Sequence, residues 1–349
     1  MYRWIQGRWR YEAVAPIEDV LVEPSREAKE AVRFYWGNYT CIGQWILEPG
    51  KKIVLRSSQP GVCRFCGLAE PEVTFRDKAH AIPESTGNKS LTTKYECDRC
   101  NRLFGSGIEN DFGNWSKAQR AMSGVRGKGP PPTLKEESRR QWRFEHGVEE
   151  IKLTQDENDP IAVVNEDTKE ITLTVRRDPY TPVAVLKAFA KMALSLLPEA
   201  ELPNVHSALA WIRSEEHSIR LAKTSALPLL YTFVPGNQPL GNVSAILLRR
   251  KSDRLPVPYL TFVLSYGNEA FQTFLPSPER NVAISGKKVA LHYFPIPYGL
   301  DRGLVPLAPI ERRPIDLTSC SLVKGEMIQT IMSYDRGTHT GFEGDGPSL

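Results

Sequence analysis

Four cysteines carry the plainest chemistry in this chain. Cys63 and Cys66 form one C-x-x-C pair, Cys97 and Cys100 a second, and 30 residues separate the pairs. Each pair turns tightly enough to offer two thiolates, and a hairpin between them would bring the pairs together around Zn²⁺ with ~2.3 Å bonds. Four sulfur ligands leave no position for water or substrate, so such a zinc is structural and any catalysis needs other side chains. Cys41 and Cys320 stand apart as packed or free thiols. That distribution suits metal binding in a reducing compartment better than a disulfide framework.

The other side chains lie between and just after the pairs: Asp77, His80 and Pro83, then Gly87 and Asn88, then Asn101 directly after Cys100, and Glu109. An imidazole can take a proton from water near neutral pH, and amide and carboxylate oxygens suit a hard divalent cation. The ordered set of C-x-x-C, a His followed shortly by Pro, a Gly-Asn loop, C-x-x-C-Asn and a trailing helix spans Cys63 to Trp115. It resembles the HNH endonucleases, in particular those in which a four-cysteine zinc site braces a ββα-metal motif.

The resemblance implies that His80 activates water, that Asn88 helps hold strand and loop, and that Asn101 at the opening of the helix binds Mg²⁺ or Mn²⁺. It also implies hydrolysis of nucleic acid to 5′ phosphate and 3′ hydroxyl ends. Two departures stand out. Many members of the family carry a metal-binding side chain immediately before the base, where this chain has Ala79. Asp77, two residues earlier and so on the same face of an extended strand, is the nearest substitute. Glu109 is another; on an unbroken helix from Asn101 it lies ~12 Å along the axis, unless Gly105 or Gly107 breaks the helix. The commonest family spacing, counted back from Asn101, lands on Thr92, whereas the Gly-Asn loop selects Asn88.

Elements to position these groups can be read from periodicity. A helix is expected from Ser25 to Tyr35, a strand over Ile53 to Leu55, a strand near Val73 to His80, and a helix after Cys100. Farther on, alternating runs at Ile171–Val175, Ala245–Leu248, Tyr259–Leu264, Ala270–Phe274 and Val289–Tyr293 predict antiparallel sheet. Thr181 and Pro182 start a helix whose Leu186, Phe189, Ala193 and Leu197 recur at helical spacing until Pro198, and a second helix covers Val205 to Ile212. The expected fold class is α+β: an HNH module of ββα-metal type with its zinc site, followed by an α+β domain with a mainly antiparallel sheet.

The domain division follows composition. Residues 1–60 read as a lead-in, 61–123 as the HNH unit, 124–137 as a basic Pro/Gly linker, 138–334 as a regulatory or targeting domain and 335–349 as a flexible tail. With 349 residues, 41% hydrophobic, disorder is excluded as the dominant state. The formal charge of +4 is too slight to announce a nucleic-acid ligand unless clustered. Trp115 to His146 does cluster it, with eight Lys or Arg, among them Lys117, Arg120, Arg126, Lys128, Arg139, Arg140 and Arg143, against three Glu. A second group, Arg249, Arg250, Lys251 and Arg254, reads as a solvated turn. No run approaches the ~20 apolar residues of a membrane span, and the opening residues lack a signal-peptide core, so a cytoplasmic protein without a membrane partner is expected.

The function that emerges is a metal-dependent endonuclease acting on DNA, double-stranded by preference, in bacterial restriction or anti-phage defence, with a homo-oligomer or a defence-system protein as further partner. The alternatives are a non-catalytic zinc-ribbon DNA-binding or adaptor protein, for which Ala79 is the motive, and an RNA nuclease built on the same residues.

Overall fold

The computed structural model describes residues 2–5, 8–11, 26–135, 142–147, 151–155, 160–222, 228–236, 238–295 and 309–333. Arg139, Arg140 and the expected tail fall outside the described residues.

A six-stranded, wholly antiparallel sheet is the scaffold, with strands in the order 311–315, 229–233, 269–274, 260–267, 241–250 and 39–46. The two central strands, Leu260–Gly267 and Glu269–Phe274, are buried along their whole length. Both of their faces are covered. Phe271 stacks 5.2 Å from Phe189 and 5.7 Å from Trp115. At a second core cluster Tyr35 of helix α1 (Arg26–Asn38) packs with Phe294, their rings 5.0 Å apart.

The expected strand at Val289–Tyr293 does not form, because its polar backbone is satisfied otherwise. The Gln272 side chain donates to His292 O at 3.2 Å and accepts from Phe294 N at 2.7 Å, so a side chain replaces a ladder. The strand expected near Val73 to His80 is likewise only Ala79–His80. The preceding residues are pinned to Asp98 instead, which accepts from Thr74 Oγ1, from Arg76 N at 3.2 Å and from Asp77 N at 2.8 Å. With a strand so short, alternation does not place Asp77 on the face of Ala79.

Four further helices follow: α2 (Asp98–Ser106), α3 (Ile108–Met122), α4 (Pro182–Leu196) and α5 (His206–Arg213). Every residue of α4 is buried, including Lys187 and Lys191. A helix apolar on all sides belongs in the centre of a core. Thr181 and Pro182 start it and Pro198 follows its end, as the sequence predicts. Each end is also held from outside: Asp111 of α3 accepts from Thr181 N, and Arg64 donates to Leu194 O, Ser195 O and Leu197 O at 3.1, 3.1 and 2.8 Å.

These contacts alter the expected division of the chain. One hydrophobic cluster runs from Leu47 through Cys63, Phe104 and Phe112 to Phe189, Phe271 and Leu317. The 39–46 strand of the supposed lead-in pairs with 241–250, so the cysteine-bearing segment is inserted into the scaffold rather than linked before it. The expected connector is packed at several of its described residues: Val125 and Leu134 are buried, and a Cβ at Gly127 would lie 3.1 Å from Glu84 O.

Candidate metal centre and active site

The first C-x-x-C pair sits on a tight turn closed by Gly67 N donating to Cys63 O at 2.9 Å, with Gly67 at φ 74°, a left-handed conformation that favours glycine. Cys97 precedes α2 and Cys100 lies in its first turn. The four sulfurs all lie within 4.8 Å of one another. Cys66 and Cys97 are 3.8 Å apart, the spacing of ~3.8 Å that a tetrahedron of ~2.3 Å Zn–S bonds sets between its corners. The Cys100 thiol bonded to Cys63 draws the Cys63 thiol well below its ordinary range and is itself pushed up, so one sulfur already carries thiolate character. The donor set fits Zn²⁺. Among the described residues it is the one group of three or more metal-binding side chains that converges.

His80 pairs with Thr92 across the short antiparallel 79–80 and 91–93 strands, and α2 follows, giving the order strand, strand, helix. The intervening loop is held by Asn88, fully buried, whose amide donates to Ile82 O and Leu91 O and accepts from Ser90 N and Leu91 N at 2.6 to 3.1 Å. Asn88 thus satisfies four backbone groups that a buried loop would otherwise orphan. Asn101 lies in the first turn of α2, its N–H bonded to Cys97 O at 2.9 Å.

The His80 side chain is 13% exposed and its Nε2 is buried without a hydrogen-bond partner. Burial lowers the imidazole below its ordinary pKa; Glu84 draws it up, Lys78 and Lys191 push it down, and Glu109 draws it up. The net direction favours the neutral ring, and Nε2 is left unbonded. Glu84 Oε1 stands 3.6 Å from that Nε2. Sequence reasoning missed Glu84; the available signal was its position four residues after His80, between Pro83 and Gly87.

The carboxylates singled out from the sequence separate. Asp77 is exposed and faces Arg102 at 3.4 Å. Glu109 is brought back toward the centre because the helix breaks at Gly107, with φ −106° and ψ −103°, between α2 and α3. It meets a residue that periodicity had assigned to the interior of a distant helix: Lys191 Nζ lies 2.8 Å from Glu109 Oε1 and 3.2 Å from Glu96 Oε2, and donates to His80 O at 3.0 Å. Burial pushes Glu96 up to about 7, against the pull of Lys191. Burial would lower Lys191, but Glu109 and Glu96 outweigh it and hold the ammonium charged.

Beside this group an open cleft of about 500 Å³ runs along α3, lined by Pro83, Ser85, Glu109, Asn114 and Lys117 among others. The basic cluster around it is partly spent on structure. Lys117 pairs with Asp178 at 2.6 Å, and buried Arg120 donates to Ser116, Ser85 and Gly113, while Arg126 and Lys128 stay exposed. In the second basic group Arg250 is buried, bonded to Val257 O and Asp253.

The zinc-compatible cysteines, the His80 strand and the Asn101 helix all fall in one stretch. Residues 63–116 match the HNH endonuclease family model. The matched segment therefore begins at Cys63, the first of the four clustered cysteines, and ends within α3, and Lys191 lies outside it. No curated protein and no solved structure matches the chain. No helix among the described residues is long and apolar enough to cross a membrane.

Proposed function

We propose that this chain is a metal-dependent endonuclease that hydrolyses phosphodiester bonds of duplex DNA, serving restriction or anti-phage defence in a bacterial cytoplasm. The observation that carries the reading is His80: a neutral imidazole with an unbonded Nε2 on the strand of an HNH segment that four cysteines brace. In the HNH segment read as a ββα-metal module, His80 takes the proton from water as the water oxygen attacks phosphorus. The P–O3′ bond then breaks, the departing O3′ takes a proton from solvent, and 5′ phosphate and 3′ hydroxyl ends are left. Asn88 keeps the His80 loop in place.

A divalent ion, Mg²⁺ or Mn²⁺, would neutralise charge on the phosphate and the leaving oxygen. Asn101 and Glu84 are the residues we assign to hold it, while Glu109, 2.8 Å from the Lys191 ammonium, is engaged in that pair. Glu84 takes the place left by Ala79, because it is the carboxylate beside His80, whereas Asp77 is engaged with Arg102 at the surface. Exposed Arg126 and Lys128, on either side of the Gly127 that packs against the Glu84 backbone, offer phosphate contacts.

Incubation of zinc-loaded full-length protein with supercoiled plasmid and Mg²⁺ or Mn²⁺ should give nicked and linear DNA. Single-stranded RNA in a parallel reaction separates the RNA-nuclease reading. Ala79 favours one rival, a zinc module that binds DNA without cutting it. Binding to plasmid with no nicking under either ion would establish that rival instead.

A further inference from the structure

α4 is buried on every side, yet it carries two lysines one turn apart, and they are used differently. Lys187 Nζ donates to Ser214 O at 2.8 Å and to Glu216 O at 2.7 Å, closing the loop that follows α5. Lys191 Nζ crosses into the HNH segment, where its hydrogen bond goes to the carbonyl of His80 itself, 111 residues away in sequence. Its charge is balanced there by Glu96 and Glu109 at 3.2 and 2.8 Å. An ammonium is far costlier to bury than an apolar side chain of similar length such as methionine, so a purely packing role does not account for it. The His80 strand is two residues long: beyond its pairing to 91–93, the next backbone bond in line, Ala81 N to Leu91 O, is 3.3 Å, and Asn88 holds the chain at Ile82 O, two residues past His80, which leaves Lys191 as the side chain bonded to the His80 carbonyl itself.

We propose that Lys191 is a positioning residue of the nuclease centre, fixing the His80 carbonyl and through it the direction of the imidazole, so that α4 completes a site the HNH segment does not complete alone. This rests on the nuclease reading above. Lys191 touches no reacting atom; it acts through the strand, and a displacement of about 1 Å at a catalytic group can cost ~10²-fold in rate.

Lys191→Met alone leaves Glu96 buried without a counter-charge and unfolds or weakens the protein whatever its role. The deciding variant is therefore the full-length double substitution Lys191→Met with Glu96→Gln, which removes the ammonium and the fully buried carboxylate while roughly keeping volume; Glu109, 19% exposed, keeps a path to water. Two quantities are read: plasmid-cleavage kinetics at saturating Mg²⁺, and hydrogen–deuterium exchange of the peptide covering residues 78–83. The expected result is cooperative unfolding and full zinc content, with kcat lower by on the order of 10²-fold at unchanged KM, and faster exchange confined to that peptide. Lys187→Met is the control, expected to lower stability and leave kcat as in the wild type. Wild-type kcat together with unchanged exchange in the folded double variant would overturn the proposal. If the wild-type protein cleaves neither DNA nor RNA, the nuclease reading fails, and the exchange measurement by itself still decides whether Lys191 holds the strand, unchanged exchange again rejecting it.

Discussion

His80 concentrates the residue-scale consequences. Its Nε2 has no hydrogen-bond partner, so His80→Ala should retain fold and zinc while cleavage falls by ~10²–10⁴-fold, measured on plasmid with matched zinc content. On the role proposed for it, His80 works only when neutral, and burial lowers its pKa in the folded chain below the ordinary imidazole value of ~6.5. Cleavage should hold level from pH 8 down to about 6.5 and decline only beneath it; an acid limb above that value would contradict the assignment. Stability follows the same sign. As pH falls past about 6.5 the unfolded chain binds the proton first, so folding weakens until the folded His80 is protonated as well. How much of this was legible varies by residue. The cysteine spacing and the His-Pro and Gly-Asn signals name Cys63, Cys66, Cys97, Cys100, His80 and Asn88 from local sequence. Lys191 cannot be named that way, because at helical spacing it reads as one polar position in an apolar stripe, and its partners are long-range. Glu96 hides beside Cys97 for the same reason.

Among the elements, α4 depends on groups outside itself at both ends. The four last carbonyls of a helix have no partner within it and carry its negative pole. Arg64, the residue after the first zinc-site cysteine, covers three carbonyls there and lies 3.8 Å from the Tyr95 ring, so a non-ligand of the metal couples the zinc turn to a core helix. Arg64→Ala should cost about 2–4 kcal/mol, read as a lower midpoint in urea, and zinc should be released at lower chelator concentration although all four sulfurs remain. Arg64→Lys keeps the charge but loses the fork and should recover only part of that stability. The elements that periodicity located well, α4 and the strands at 170–176, 241–250, 260–267 and 269–274, are long or bounded by Pro and Gly. Those it misplaced, at Val73–His80 and Val289–Tyr293, have their backbone groups taken by Asp98 and Gln272 side chains, a competition that no window of hydrophobicity registers.

For the whole molecule, insertion replaces succession. Because the cysteine segment, α4 and the sheet share one core, a chain ending near Gly129 should lack a cooperative unfolding transition, in contrast to what a linker at 124–137 implies. Chelation of zinc from the full chain should lower the single transition of the entire protein, since binding free energy at the cysteines is folding free energy for whatever packs on them. Two separate transitions, one sensitive to chelator and one not, would show that the units fold apart. The origin of Lys191 far down the chain also has a meaning in time. A ribosome releases the cysteines and His80 long before α4 has been made, and until then the His80 carbonyl has no ammonium and the zinc turn no helix to cover. On the positioning role proposed for Lys191, a polypeptide that ends before α4 would cleave on the order of 10²-fold more slowly than the finished chain, so full nuclease activity would be acquired only after Leu197 has left the ribosome.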